Sequence, residues 1–81
     1  MANRAITSPL PGTFYRRPAP DADPFVNEGD QVNAGDTVGL VEIMKNFHEI
    51  PAEEDGVLDR FLVETDDVVE AGQEIAILRD P

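Results

Sequence analysis

Leu40-Val41-Glu42-Ile43-Met44-Lys45-Asn46-Phe47-His48-Glu49-Ile50 is the stretch from which the fold of this 81-residue chain is read. Ahead of the turn, Val38, Leu40 and Glu42 alternate with Gly39, Val41 and Ile43; after it come Phe47 to Ile50, closed by Pro51. Two strand-forming runs joined by so short a connection predict a β-hairpin. Lys45 sits at its tip and is the only lysine in the chain. The ladder behind a hairpin tip fixes the backbone while the tip side chains point into solvent. The amine is therefore held on a rigid post where another protein can reach it. An ordinary solvated turn lysine fits the same description, and on position alone is the simpler reading.

Moving outward, the chain is β throughout. The first five residues read as a flexible leader, and Ile6-Thr7-Ser8 can open a strand. Ser8-Pro9-Leu10-Pro11-Gly12 is a turn, with prolines to fix φ and a glycine to relax it. Thr13 to Arg16 is β-branched and aromatic, hence a strand. A proline-rich irregular stretch, 18–25, follows. Glu28-Gly29-Asp30 and Val32 to Asp36 contain turns, and Glu53 to Gly56 is an acidic one. Val57 to Val63 and Glu74 to Leu78 are strands, separated by turns at Asp66-Asp67 and Val69 to Gln73. Turn signals recur too closely for a helix.

The chain also repeats itself. Val32-Asn33-Ala34-Gly35-Asp36-Thr37-Val38-Gly39-Leu40-Val41 aligns with Val69-Glu70-Ala71-Gly72-Gln73-Glu74-Ile75-Ala76-Ile77-Leu78 at an offset of 37. Ile6, Ser8, Gly12 and Arg16 align with Ile50, Ala52, Gly56 and Arg60 at an offset of 44. Gly35 and Gly72, and likewise Gly12 and Gly56, read as the residues that permit the turns. Neither half can bury an apolar face alone, so two halves must pack together. The expected architecture is a small flattened β-barrel or sandwich with a pseudo-twofold axis, one domain over residues 6–79. The Lys45 hairpin then has a counterpart in which the chain is cut. The terminal strands should pair with each other, at the end opposite Lys45. The two offsets differ by seven residues, which predicts an insertion in the first half between Gly12 and Gly35, and the proline-rich stretch 18–25 is where it is expected.

Composition narrows the function. Seventeen acidic residues against six basic give a net charge of −11, which repels nucleic acid and anionic membrane surfaces. No apolar run is long enough to span a membrane. The chain has no cysteine, which fits a reducing compartment and a cytoplasmic location. No catalytic motif is present. His48 is the only histidine and reads as an ordinary strand residue. Glu42 and Glu49 face each other only approximately across the hairpin. They and Glu53-Glu54-Asp55 read as solvated acidic faces, so no metal site is expected.

Glu42-Ile43-Met44-Lys45 resembles the biotin attachment motif of biotinyl domains, usually Glu-Ala-Met-Lys-Met. Ile43 replaces the usual Ala and Asn46 the usual second Met. Lipoyl domains are similar in fold but usually carry Asp before the lysine, so Met44 favours biotin. Ser8 to Arg16 with Pro18-Ala19-Pro20-Asp21 is similar to the start of the biotinyl domain in the biotin carboxyl carrier subunit of bacterial acetyl-CoA carboxylase. That subunit has a loop called the thumb where the insertion is expected here. The resemblance covers nearly the whole chain. It implies covalent biotin on Lys45, with Met44 and Glu42 as ligase-recognition candidates and loop 18–25 over part of the biotin ring. It implies a non-catalytic carrier that shuttles a carboxyl group, with biotin protein ligase, a biotin carboxylase and a carboxyltransferase as partners. For Met44 a turn residue tucked against the barrel end, for Glu42 an exposed strand charge, and for the loop a rigid surface segment are the plainer alternatives. A lipoyl carrier and an unmodified interaction module with a basic partner are the competing functions.

Overall fold

The computed structural model describes residues 3–80. Eight strands follow in order: β1 (Arg4–Thr7), β2 (Gly12–Tyr15), β3 (Gln31–Val32), β4 (Thr37–Ile43), β5 (Asn46–Pro51), β6 (Gly56–Phe61), β7 (Val68–Val69) and β8 (Glu74–Arg79). They form two four-stranded sheets, ordered β1-β8-β6-β3 and β5-β4-β2-β7, with every pairing antiparallel. No helix is found among the described residues.

The repeat holds down to register. Arg4↔Leu78, Ala5↔Ile77 and Ile6↔Ala76 in one half match His48↔Val41, Glu49↔Leu40 and Ile50↔Gly39 in the other. Gly12↔Val69 and Thr13↔Val68 match Val32↔Gly56 and Gln31↔Val57. The hydrogen bonds at the hairpin bases repeat as well. Ala52 donates to Asp36 O and Gly35 to Ala52 O; Ser8 donates to Gln73 O and Gly72 to Ser8 O. A difference lies in β6, whose register shifts between Leu58 and Arg60, while β2 pairs without a break. The core is built from equivalent pairs: Ile6 with Ile50, Val32 with Val69, Val38 with Ile75, Val41 with Leu78, and Phe14 with Leu58, all buried.

Several expectations are corrected. The first strand starts at Arg4, so Arg4 and Ala5 are not a leader; Met1 and Ala2 lie outside the described residues. Thr13 to Arg16 becomes Gly12–Tyr15 and Val57 to Val63 becomes Gly56–Phe61. The two-residue strands β3 and β7 overlap the expected turn segments only at Val32 and Val69, and each is too short to show a period. The β4 strand does not alternate between core and solvent, because Val38, Gly39, Leu40 and Val41 are all buried. Gly35 and Gly72 have the left-handed φ their turns require, 94° and 81°. Gly12 and Gly56 instead open strands where a neighbour comes close: a Cβ on Gly56 would lie 2.9 Å from Arg79 O.

The terminal strands pair as expected. Their position follows from contacts. Arg4 donates to Asp55 O and pairs with Glu54 and Asp80, and Asp55 accepts from Ala34 N at the base of the β4–β5 hairpin. The described ends of the chain therefore lie by the hairpin base. The tip is a seven-residue strand away, about 20 Å.

Candidate functional site

Lys45 is placed by a two-residue turn between β4 and β5. Ile43 pairs with Asn46, leaving Met44 and Lys45 as the two central residues of the connection. Their φ angles are +50° and +69°. Two successive positive φ values make a type I′ turn, whose twist matches the flanking strands and which ordinarily takes Asn-Gly. Two non-glycine residues there cost on the order of 1 kcal/mol each, a strain that collects at functional positions. Lys45 is exposed and Met44 is 89% exposed, which rules out a Met44 tucked against the barrel end.

Glu42 is half-buried rather than a free strand charge. Its carboxylate accepts a hydrogen bond from the Tyr15 hydroxyl at 2.9 Å. Phe47 lies opposite Glu42 in the ladder, and its ring centroid is 5.8 Å from that of Tyr15, tilted by 56°. The hydrogen bond to Glu42, then burial, then the charges of Glu42 and Asp66, push the Tyr15 phenol above its ordinary value. Glu49, on the same face, accepts from Thr37 Oγ1 at 2.7 Å. The two carboxylates thus bond separate hydroxyls and do not form a pair. His48 is exposed, across from Val41. Among the described residues no group of three acidic or histidine side chains is arranged to hold a metal.

The proline-rich loop leaves the sheet at the far end of β2 and folds back. Ala22 N donates to Ala19 O at 3.1 Å and Arg17 Nη1 to Ala22 O at 3.0 Å; Phe25 N closes the base on Arg16 O at 3.0 Å. Proline at the second position of the Ala19–Ala22 turn has its φ preset. Arg17 aligns with Phe61 at the offset of 44 and Phe25 with Leu62 at the offset of 37, so the seven extra residues are 18–24. Between this loop and the hairpin lies a pocket of about 350 Å³, walled by Tyr15, Phe47, Pro18, Ala19 and Pro20. The structure thus brings Glu42, the loop and the Lys45 hairpin to one face. It adds Tyr15 and Phe47, which the sequence reading missed. Their meeting depends on cross-strand register, although the place of Phe47 two residues after Lys45 was a usable signal.

The family described as "Biotin-requiring enzyme" matches residues 4–78. The biotin carboxyl carrier protein of acetyl-CoA carboxylase from Streptococcus pyogenes is 46% identical over 68 residues, 84% of this chain and 41% of that protein. Its counterpart from Haemophilus influenzae is 35% identical over 78 residues, 96% of this chain and 50% of that protein. The chain thus spans half or less of the length of these relatives. Among solved structures, the Kluyveromyces lactis urea carboxylase superposes with a TM-score of 0.79 at 29% identity, covering 98% of this chain and 6% of that one. A single-chain, multi-domain long-chain acyl-CoA carboxylase gives the same TM-score at 24% identity, covering 98% and 7%, a likeness of fold. By the family match over residues 4–78, the chain belongs to the biotin–lipoyl family of biotin-requiring enzymes.

Proposed function

We propose that this domain is the carrier of a biotin-dependent carboxylase of the acetyl-CoA carboxylase type and that biotin is attached through an amide to Lys45. The observation that carries the reading is the chain's single lysine, exposed at the second central position of a strained type I′ turn and preceded by Met44. The neutral Nζ attacks the carbonyl of a ligase-bound biotinyl adenylate, the C–N bond forms, AMP leaves and the amine proton passes to solvent. Biotin so held supplies a ureido ring able to carry a carboxyl group.

The chain's own residues do the rest. The β4–β5 ladder presents the amine at the end of the molecule away from the described chain ends, which leaves it free to enter a biotin carboxylase and then a carboxyltransferase. Met44 and Glu42 are recognition contacts for the biotin protein ligase, Glu42 held in place by Tyr15. The apolar walls of the neighbouring pocket suit the ring of the arm, and loop 18–25 covers it there. Tethering raises the concentration of the carried group at both partner sites. The domain itself performs no chemistry on the acyl-CoA, and the absence of cysteine supports a cytoplasmic location.

Co-expression with an active biotin ligase tests the reading by intact mass. One biotinyl group is expected on the wild type and none on Lys45→Arg, with the same far-ultraviolet circular dichroism for both. An unmodified wild type sinks it; a lipoyl mass in place of biotin selects the lipoyl carrier.

A further inference from the structure

Four turns in this fold are built alike. In Asn27–Asp30, Asn33–Asp36, Glu64–Asp67 and Glu70–Gln73, the fourth residue's N–H donates to the first residue's carbonyl. The fourth side chain accepts from the first residue's N–H. In each the third residue has positive φ: Gly29 at 95°, Gly35 at 94°, Gly72 at 81° and Asp66 at 78°. The offset of 37 places Asp66 on Gly29. Three turns use the residue that adopts this conformation without steric cost, and one does not.

The backbone gives no reason for the exception. Asp66 N donates to Phe14 O at 2.8 Å, a bond glycine would make equally well. No hydrogen bond or ion pair among the described residues engages the Asp66 carboxylate. Its turn is, however, the one that borders the pocket beside the Lys45 hairpin, and Asp66 lines that pocket with Arg17. Arg17 gives one donor to Ala22 O and has four others. The pocket therefore offers flat apolar walls, a group that only donates and a group that only accepts. That set matches a small cyclic urea, with its N–H donors and its carbonyl acceptor.

We propose that Asp66 is a specificity-determining residue for the prosthetic arm. Its carboxylate accepts a hydrogen bond from a ureido N–H of a biotinyl group on Lys45 and docks the ring against Tyr15 and Phe47, with Arg17 toward the ureido carbonyl. The inference rests on the attachment proposed above. A dithiolane ring has no N–H, so the same carboxylate gives a lipoyl arm nothing.

The test is made on the whole chain, biotinylated in cells with biotin carrying ¹⁵N at both ureido nitrogens and checked by intact mass. In the wild type, one ureido N–H resonance should move downfield of free biotinyl-lysine. It should also exchange with water at least about tenfold more slowly, the order expected of a charge-assisted hydrogen bond. Asp66→Gly takes the residue the repeat uses at position 29, should fold at least as well, and should lose both shift and protection. Asp66→Asn keeps an acceptor oxygen and tolerates positive φ, and should keep part of each. An unshifted wild type, or an Asp66→Gly protein that retains shift and protection, overturns the docking and leaves the attachment standing. A chain that gains no biotin mass overturns both.

Discussion

Tyr15 shows how a single side chain joins the hairpin to the strand behind it. Its hydroxyl donates to Glu42 and its ring meets Phe47. The donating form is the protonated phenol, and the Glu42 hydrogen bond raises its pKa above the ordinary value, which is about 10. A folded-state value above the unfolded one means that the contact's stability is fully present below the ordinary value. It is lost as pH climbs through the folded-state value. Tyr15 is the only tyrosine, so the absorbance of phenolate reports it alone. Its midpoint in the folded protein should exceed that of a tyrosine peptide, and Glu42→Gln, which removes the charge, should bring it back down. A wild-type midpoint at or below the peptide's would refute the contact. The sequence marks Lys45, Met44 and Glu42 as candidates because they fall within one four-residue run. It does not mark Tyr15, Phe47 and Asp66, because three separate segments meet there through register and a loop.

At the level of elements, β2 and β4 solve a packing problem differently from their repeat partners β6 and β8. Phe14 stands where the other half has Leu58, and Gly39 stands where it has Ala76; all are buried. A Cβ on Gly39 would lie 2.7 Å from Phe14 Cε1, so the larger ring occupies the space that a missing methyl leaves. Gly39→Ala should therefore cost about 1–3 kcal/mol by overpacking. The pair Gly39→Ala with Phe14→Leu, which copies the other half, should recover much of that loss in urea unfolding. Additive losses would dismiss the trade. The alternation of apolar residues along β4 was legible but its meaning was not, since both of its faces are buried. Loop 18–25 was legible through the seven-residue mismatch between offsets, though not its fold onto Tyr15 and Phe47. On the carrier function proposed above, deleting 18–24, the residues that the other half lacks, should leave biotin attachment at Lys45 intact and slow carboxyl transfer. Unchanged transfer would show that the loop does not attend the arm.

The whole molecule is two copies of one unit, and this was its most legible property because aligned residues 37 and 44 apart survive as sequence. The pairing of the terminal strands followed from it. The short strands β3 and β7 did not, since two residues carry no period. The duplication also makes a quantitative demand on the ends of the chain. By the two offsets, Ile43 corresponds to Asp80 and Asn46 to Ala2. The two residues of the Lys45 turn therefore correspond to a two-residue link from Asp80 to Ala2. A backbone circle in which Asn-Gly joins those positions should close a second type I′ hairpin, with residues that adopt it more readily than Met44-Lys45 do. Arg4 already holds Asp80 at 2.8 Å across the β1–β8 edge, so closure asks little of the native ladder. The circle should keep the circular dichroism of the linear chain and melt at a higher temperature, because its unfolded state has fewer conformations. Links of one or of four residues should gain less, the first from strain and the second from slack. If all three lengths raise the melting temperature equally, the ends are not held in the register of the Lys45 hairpin, and the symmetry stops short of the termini.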